Sequence, residues 1–580
     1  MTRLTHWHLV WIFAQLIPVA LSIFCPVQPR QNYVPLVCTS NGTLAGVHSS
    51  NYDQDFFFRV PYAAPPIGDL RFRRPQPPQG WNDTVRKADE LGPWCPGNSL
   101  NLVGFSQSKM GEMSEDCLYM NIVRPSRTVH DIKSSPLLPV LVWLHGGGWQ
   151  EGSANDDRYN GSFLVQRSVE MGTPIIYVNF NYRLGLFGRL SGPAVQEAGL
   201  DNLLLHDQRQ AFAWIQENIA HFGGDKTRVT IMGESAGAGN VGNHVLAPDE
   251  GFFSSAIAQS GGPFLMSPLL NETEVEAVFI AALNFTGCRG ASQPLDCLRS
   301  VPAEIIQKAS ASVPLGFVQD GELIVDRSSR LLKQGRFIKV PLLIGSNRNE
   351  GTTFLRLYIE NNGPLNDFED FVKIVTFSVG GRALPIRKLR RLWELYQDEI
   401  DNPSSSGLGI VVDNGGPSLG SGYGKVSLWV GDSHFAAGRR FANQIWADHM
   451  VPSYSFLFDT TTAYLSPKLD GAAHSQEIPY VFGNVEAIGW EQDPYPTEAR
   501  LRAKHLALVE AMSSMWISFV ATGNPNNHKV LGLNVTWPKH TQDRPTNIVF
   551  SATEGVHVQP DTWRLEALQI IVDLADESGR

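Results

Sequence analysis

The chain reads as an α/β protein: a large, mostly parallel central sheet with helices on both faces. Three observations carry that reading. Short strand-like runs recur along the chain, they end in polar or glycine-rich signals, and helical patterning lies between them. "PVLVWLHGGGW" (139–149) runs into three glycines, "PIIYVNFNYR" (174–183) into Asn-Tyr-Arg, and "RVTIMGES" (228–235) into a serine. "SSAIAQSGG" (254–262) ends at Ser260, and "VPLLIGSNRNEG" (340–351) at Glu350. Between the second and third runs, residues 200–222 repeat Leu204, Ala211, Trp214, Ile215 and Ile219 at helical spacing. In such sheets ligands sit beyond the carboxyl ends of the strands, where these polar signals fall.

With 580 residues, 43% of them hydrophobic, the chain can bury a large core. Its net charge of −10, with no long basic stripe, argues against a nucleic-acid partner. The one basic cluster, "IRKLRR" (386–391), reads as a solvated helix face. The Gly/Ser/Pro-rich stretch 403–424 reads as a surface loop, because helical patterning resumes at once with "DSHFAAGRRFANQIWA" (432–447). Residues 23–580 are therefore taken as one domain.

Residues 1–22 read as a signal peptide. Arg3 precedes the apolar run 9–24, and Ala20 and Ser22 place small residues for cleavage after Ser22. As a membrane anchor the run is short and Pro18 interrupts it, so secretion without stable membrane insertion is expected. Sequons at Asn41, Asn82, Asn160, Asn271, Asn284 and Asn534 agree with export. In an oxidising compartment the six cysteines favour disulfides over metal ligation. Pairing sequence neighbours joins Cys95 to Cys117 and Cys288 to Cys297; Cys25 and Cys38 pair only if cleavage leaves Cys25 in the mature chain.

"IMGESAGAGNVG" (231–242) satisfies two patterns at once. Gly237, Gly239 and Gly242 match a dinucleotide loop, but the next strand ends in Gln259-Ser-Gly, without the carboxylate that would hold a ribose. Gly233-Glu-Ser-Ala-Gly237 instead matches the turn that exposes a nucleophilic serine. A serine hydroxyl needs a base, a carboxylate to orient that base, and amide donors for the developing oxyanion. Gly147 and Gly148, with Ala236 directly after the serine, supply candidate donors.

The chain resembles the type B carboxylesterases and lipases, α/β-hydrolases that include cholinesterases and secreted fungal lipases. The matching pieces span nearly all of the mature sequence. They include "VPYAAPPIGDLRFRRP", "SEDCLYMNI", "WLHGGGW", "NYRLGLFG", "TIMGESAGA", "RNEGTTF", "GAAHSQEIPYVFG" and "WISFVATGNPN". The resemblance implies Ser235 as nucleophile, His474 as general base, Glu350 as the orienting acid, and no cofactor; no C-x-x-C, H-E-x-x-H or clustered His/Cys spacing argues for a metal. The order Ser, acid, His along the chain agrees with that fold. Asp432 is the alternative acid, with a competing reading as a helix N-cap, and His434 and His449 read as structural histidines of the same helical stretch. Glu234, next to the serine, should point the opposite way in an extended strand and make buried structural hydrogen bonds. Ser260 resembles a family residue that supports the triad from behind. In the family the Cys95 to Cys117 loop borders the active-site mouth. Here it is short, its only apolar cluster is Leu100, Leu102, Val103 and Phe105, and it has no tryptophan to face a quaternary ammonium. The expected substrates are thus small to medium soluble esters. Long-chain lipid hydrolysis is the alternative, and a non-catalytic adhesion protein the alternative of another class.

Overall fold

The computed structural model describes residues 33–81, 84–107, 110–127, 135–264, 267–401 and 416–580. The expected signal peptide, Cys25 and Asn82 lie outside the described residues. In chain order the strands are β1 (Leu36–Thr39), β2 (Gly42–Ala45), β3 (Val47–Ser49), β4 (Gln54–Pro61), β5 (Val85–Lys87), β6 (Tyr119–Pro125) and β7 (Leu138–Leu144). They continue with β8 (Ile176–Phe180), β9 (Gly224–Glu234), β10 (Ser255–Gln259), β11 (Leu342–Asn347), β12 (Ser453–Phe458), β13 (Thr546–Ser551) and β14 (Gly555–Pro560). β1, β2 and β5 form a small sheet, and the other eleven form one large sheet in the order β14-β13-β12-β11-β10-β9-β7-β8-β6-β4-β3. From β8 across to β13 every pairing is parallel, and both flanks are antiparallel. This is the α/β-hydrolase architecture that the sequence predicts.

The sheet is buried on both faces, so its central strands are apolar throughout instead of alternating. In β7, Val140, Val142 and Leu144 join one core, shared with Leu204, Phe212, Trp214 and Ile215 of the helix Leu203–Asn218. Leu141 and Trp143 point the other way, into a core shared with Leu164 and Val165 of the helix Ser162–Glu170 and with Met512, Met515 and Trp516 of the helix Ala499–Thr522. Among the described residues only the helix Ala499–Thr522 is long and apolar enough to cross a bilayer, and its apolar side is packed into this core. The run "IRKLRR" opens the helix Ile386–Asp401, with Leu389 and Leu392 buried and Arg391 paired to Glu566 at 2.6 Å. The expected loop 403–424 is partly outside the described residues, and from 416 onward it is largely helical (Gly416–Leu419, then Tyr423–Gly431). Disulfides join Cys95 to Cys117 and Cys288 to Cys297; Cys38 is disulfide-bonded too.

Gly345 of β11 shows how closely the central strands are packed. A Cβ there would sit 2.1 Å from the ring of Phe456 on β12, which is fully buried and cannot withdraw. Gly345→Ala is expected to destabilise the fold by about 1–3 kcal/mol, the range for overpacking a core. Thermal or denaturant unfolding checks this, and an unchanged transition would contradict the packing.

Candidate active site

β9 runs out at Glu234, and the helix Ala236–Leu246 begins two residues later. Ser235 between them has φ 55°, ψ −123°, a conformation that side chains rarely adopt. The glycines on either side make the turn sterically feasible. A Cβ on Gly233 would meet the backbone of Gly237 at 2.4 Å, and one on Gly237 would meet the Leu144 carbonyl oxygen at 2.0 Å. Gly242 packs in the same way against the backbone of Gly262. These glycines of the apparent dinucleotide pattern thus lie where a helix approaches its neighbours.

The turn after β7 brings the glycine triplet beside the serine. Gly147 and Gly148 have φ 100° and 57°, and both line the same cavity as Ser235. Among the described residues the N–H groups of Gly147, Gly148 and Ala236 donate to no protein acceptor. Glu151 holds this turn in place. Its N–H donates to the Gly147 carbonyl, while its carboxylate accepts from the Ser106 hydroxyl at 2.6 Å and from the Leu100 N–H at 3.2 Å. The disulfide-closed loop Cys95 to Cys117 is thereby tied to the glycine turn.

Glu350 follows β11 and opens the helix Gly351–Asn362. One carboxylate oxygen accepts from the Asn347 N–H at 2.6 Å, and the other lies 2.6 Å from His474 Nδ1. The His474 ring is pressed between Phe435 and Phe354, with centroids 4.8 and 4.9 Å away. Its Nε2 makes no hydrogen bond among the described residues, although it and Ser235 line one cavity. Contacts between base and nucleophile are often long before substrate binds.

Glu234 departs from expectation. Strand alternation would turn it away from the reaction centre, but the sharp turn at Ser235 breaks the alternation. Its Oε1 lies 3.4 Å from His474 Nε2 and accepts from the Ser475 hydroxyl at 2.7 Å. Glu477, missed in the sequence, is buried behind them and bonded to Asn347 and Gln259. Burial opposes a charge on His474, yet Glu234 and then Glu350 outweigh it and raise its pKa to about 9. Glu234 is itself raised to about 8, first by burial, against the pull of His474 and with a further push from Glu477. The two equilibria are linked: a proton on Glu234 withdraws the charge that holds His474 up.

Ser260 is fully buried with φ 52°, and its hydroxyl bonds nothing among the described residues, Ser235, His474 and Glu350 included; Gln259 makes the bond to Glu477 instead. Asp432 is neither the orienting acid nor a helix N-cap. It sits in a π-helical turn inside a continuous helical stretch and is paired with Arg564 at 2.7 Å. His449 ends the helix Ala437–Asp448. His434 lines the cavity, with Nδ1 3.0 Å from the Val430 carbonyl, and burial lowers its pKa to about 3.

A carboxylesterase family profile matches residues 33–561. The chain belongs to the carboxylesterase family. It is 30% identical to Lipase 2 of Geotrichum candidum, over 91% of this chain and 93% of that one. It is 31% identical to the acetylcholinesterase of Electrophorus electricus, over 88% and 82%. Among solved structures, EstA of Aspergillus niger superposes with a TM-score of 0.77 at 26% identity, covering 95% of this chain and all of that one. This carboxylesterase is accordingly a carboxylic ester hydrolase.

The linked titration yields a measurable sign. Glu234→Gln removes the largest charge that favours the protonated imidazole, so His474 should lose its proton more readily. The acidic limb of the pH profile of kcat/KM is expected to move to lower pH, by about 1 unit. A limb that stays in place or moves up would contradict the contact.

Proposed function

We propose that the enzyme is a secreted serine esterase in which Ser235, His474 and Glu350 form the triad and Gly147, Gly148 and Ala236 the oxyanion hole. The observation that carries the reading is the 2.6 Å contact of Glu350 with His474 Nδ1, which leaves Nε2, 3.4 Å from Glu234 Oε1, without a hydrogen bond among the described residues, in a histidine that lines the same cavity as Ser235. Ser235 Oγ attacks the ester carbonyl carbon as its proton passes to His474 Nε2, and the oxyanion forms against the three amides. Collapse expels the alcohol, which takes the proton from His474. Water then attacks the acyl-enzyme through the same histidine and releases the acid.

Small to medium soluble esters suit the site best. The cavity measures about 370 Å³, and Leu100, Leu102 and Phe105 of the disulfide-closed loop turn into it. Val103, the remaining member of that apolar cluster, is 37% exposed. One observation favours longer acyl chains: Phe377 lines the cavity and is 73% exposed, which extends an apolar wall outward. Export is supported by the disulfides and by Asn271, Asn284 and Asn534, whose side chains are exposed. Asn41 and Asn160 are half-buried, and the Asn41 side-chain oxygen accepts from Trp214.

Ser235→Ala is expected to lower turnover of a neutral aryl ester by on the order of 10⁴ or more, and to abolish labelling by a fluorophosphonate. Near-normal turnover in that variant would remove Ser235 from its role. Across 4-nitrophenyl esters of increasing acyl length, kcat/KM should peak at short to medium chains; a continued rise into long chains, enhanced by emulsified substrate, would favour the lipase reading.

A further inference from the structure

Arg189 ends the short helix Gly185–Arg189, lines the cavity that holds Ser235 and His474, and is only 5% exposed. Most other deeply buried arginines sit against carboxylates: Arg124 on Asp55, Arg158 on Asp156, Arg183 on Asp207, Arg439 and Arg440 on Asp561; Arg580, which donates to the Ser433 carbonyl, is an exception that does not line this cavity. Arg189 has no such partner among the described residues, and of the arginines it alone lines this cavity. Among the described residues its Nε bonds nothing, one terminal nitrogen reaches only the Trp149 carbonyl at 3.5 Å, and the guanidinium lies 5.3 Å from the Trp149 ring centroid. The ring of Trp149 supplies a cation–π contact, but it carries no negative charge and leaves the planar donor fork unanswered.

The surroundings narrow what can answer it. Among the described residues no Asp or Glu lines the cavity, and the remaining wall is largely apolar. Burial lowers Arg189 to about 10, which leaves it a cation at neutral pH, whereas His434 is held neutral. Trp149 directly follows Gly148, so the fixed charge packs against the turn that carries the expected oxyanion donors. A buried, unpaired cation is costly without an anion, and a substrate that brings one recovers a charge-assisted, bidentate contact.

We propose that Arg189 is a specificity residue that binds a carboxylate carried by the ester substrate, so that the preferred substrates are esters bearing a free acid group away from the scissile bond. This rests on the reading of Ser235 as nucleophile. The carboxylate can belong to the acyl part, as in a monoester of a dicarboxylic acid, or to the alcohol part, as in an acylated hydroxy acid. A guanidinium fork recognises both by the same two hydrogen bonds.

The test compares matched pairs on wild type, Arg189→Met and Arg189→Lys. The acyl pair is the 4-nitrophenyl monoester of adipic acid against 4-nitrophenyl hexanoate; the alcohol pair is 4-(butanoyloxy)benzoate against phenyl butanoate. In at least one pair, the ratio of kcat/KM for the charged over the neutral ester should fall at least tenfold in Arg189→Met, chiefly through KM. Arg189→Lys should fall between the two. Ratios unchanged in both pairs would overturn the proposal, as would a wild type that disfavours both charged esters as strongly as Arg189→Met does. Should Arg189→Met fail to fold, wild type decides: adipamate, which carries one free carboxylate, must inhibit hexanoate ester hydrolysis more tightly than the neutral diamide adipamide does, and equal or weaker inhibition refutes it. Failure of the nucleophile reading looks different, because wild type would then resist fluorophosphonate labelling and turn over neither member of a pair.

Discussion

One backbone turn sets the geometry of the whole site. Holding a serine at φ 55°, ψ −123° costs about 1–3 kcal/mol, and such strain persists only where the surroundings allow nothing else. Here the surroundings are the end of β9, the start of the helix Ala236–Leu246 and the Leu144 carbonyl of β7, in contact through Gly233 and Gly237. The same close approach brings the glycine triplet after β7 beside the serine. Because β7 and β9 are adjacent parallel strands, their carboxyl ends deliver hydroxyl and amide donors to one place.

Charge is the second organising constraint. Three buried carboxyl groups, Glu234, Glu350 and Glu477, surround one imidazole. Glu350 takes the Nδ1 side, so Nε2 is the nitrogen to which the proposed mechanism assigns the proton transfer. Glu234 sets how readily that nitrogen gives up a proton, and burial together with Glu477 limits how much charge Glu234 can carry. The field is therefore uneven: buried acids stand on both nitrogens of the histidine, while Arg189 is a cation in the wall of the same cavity.

Contiguous motifs made much of this legible in the sequence. The parallel sheet follows from apolar strands ending in polar signals, and Ser235, Gly147 and Gly148 follow from local patterns whose glycines have steric reasons visible within a few residues. Contacts set by turn geometry were not legible. Glu234 reaches His474 because the backbone reverses at Ser235, which no strand-alternation rule anticipates. Asp432 falls in a π-helical turn and meets Arg564, 132 residues away, so its position beside a helix-like run misrepresented its role. Arg189 carries no local signal, since an arginine in a helix ordinarily points to solvent. Its burial against Trp149 arises only from the packing of the completed fold.

The central claim is that Ser235, His474, Glu350 and three backbone amides converge on one reacting carbonyl. A crystal structure of the enzyme after reaction with a phosphonate ester tests it most directly, because the adduct mimics the tetrahedral intermediate. The account expects phosphorus on Ser235 Oγ, its oxygen about 2.7–3.1 Å from the N–H groups of Gly147, Gly148 and Ala236, and His474 Nε2 within hydrogen-bond reach of the adduct. An adduct on another residue, or an oxygen turned away from those amides with His474 out of reach, would contradict it.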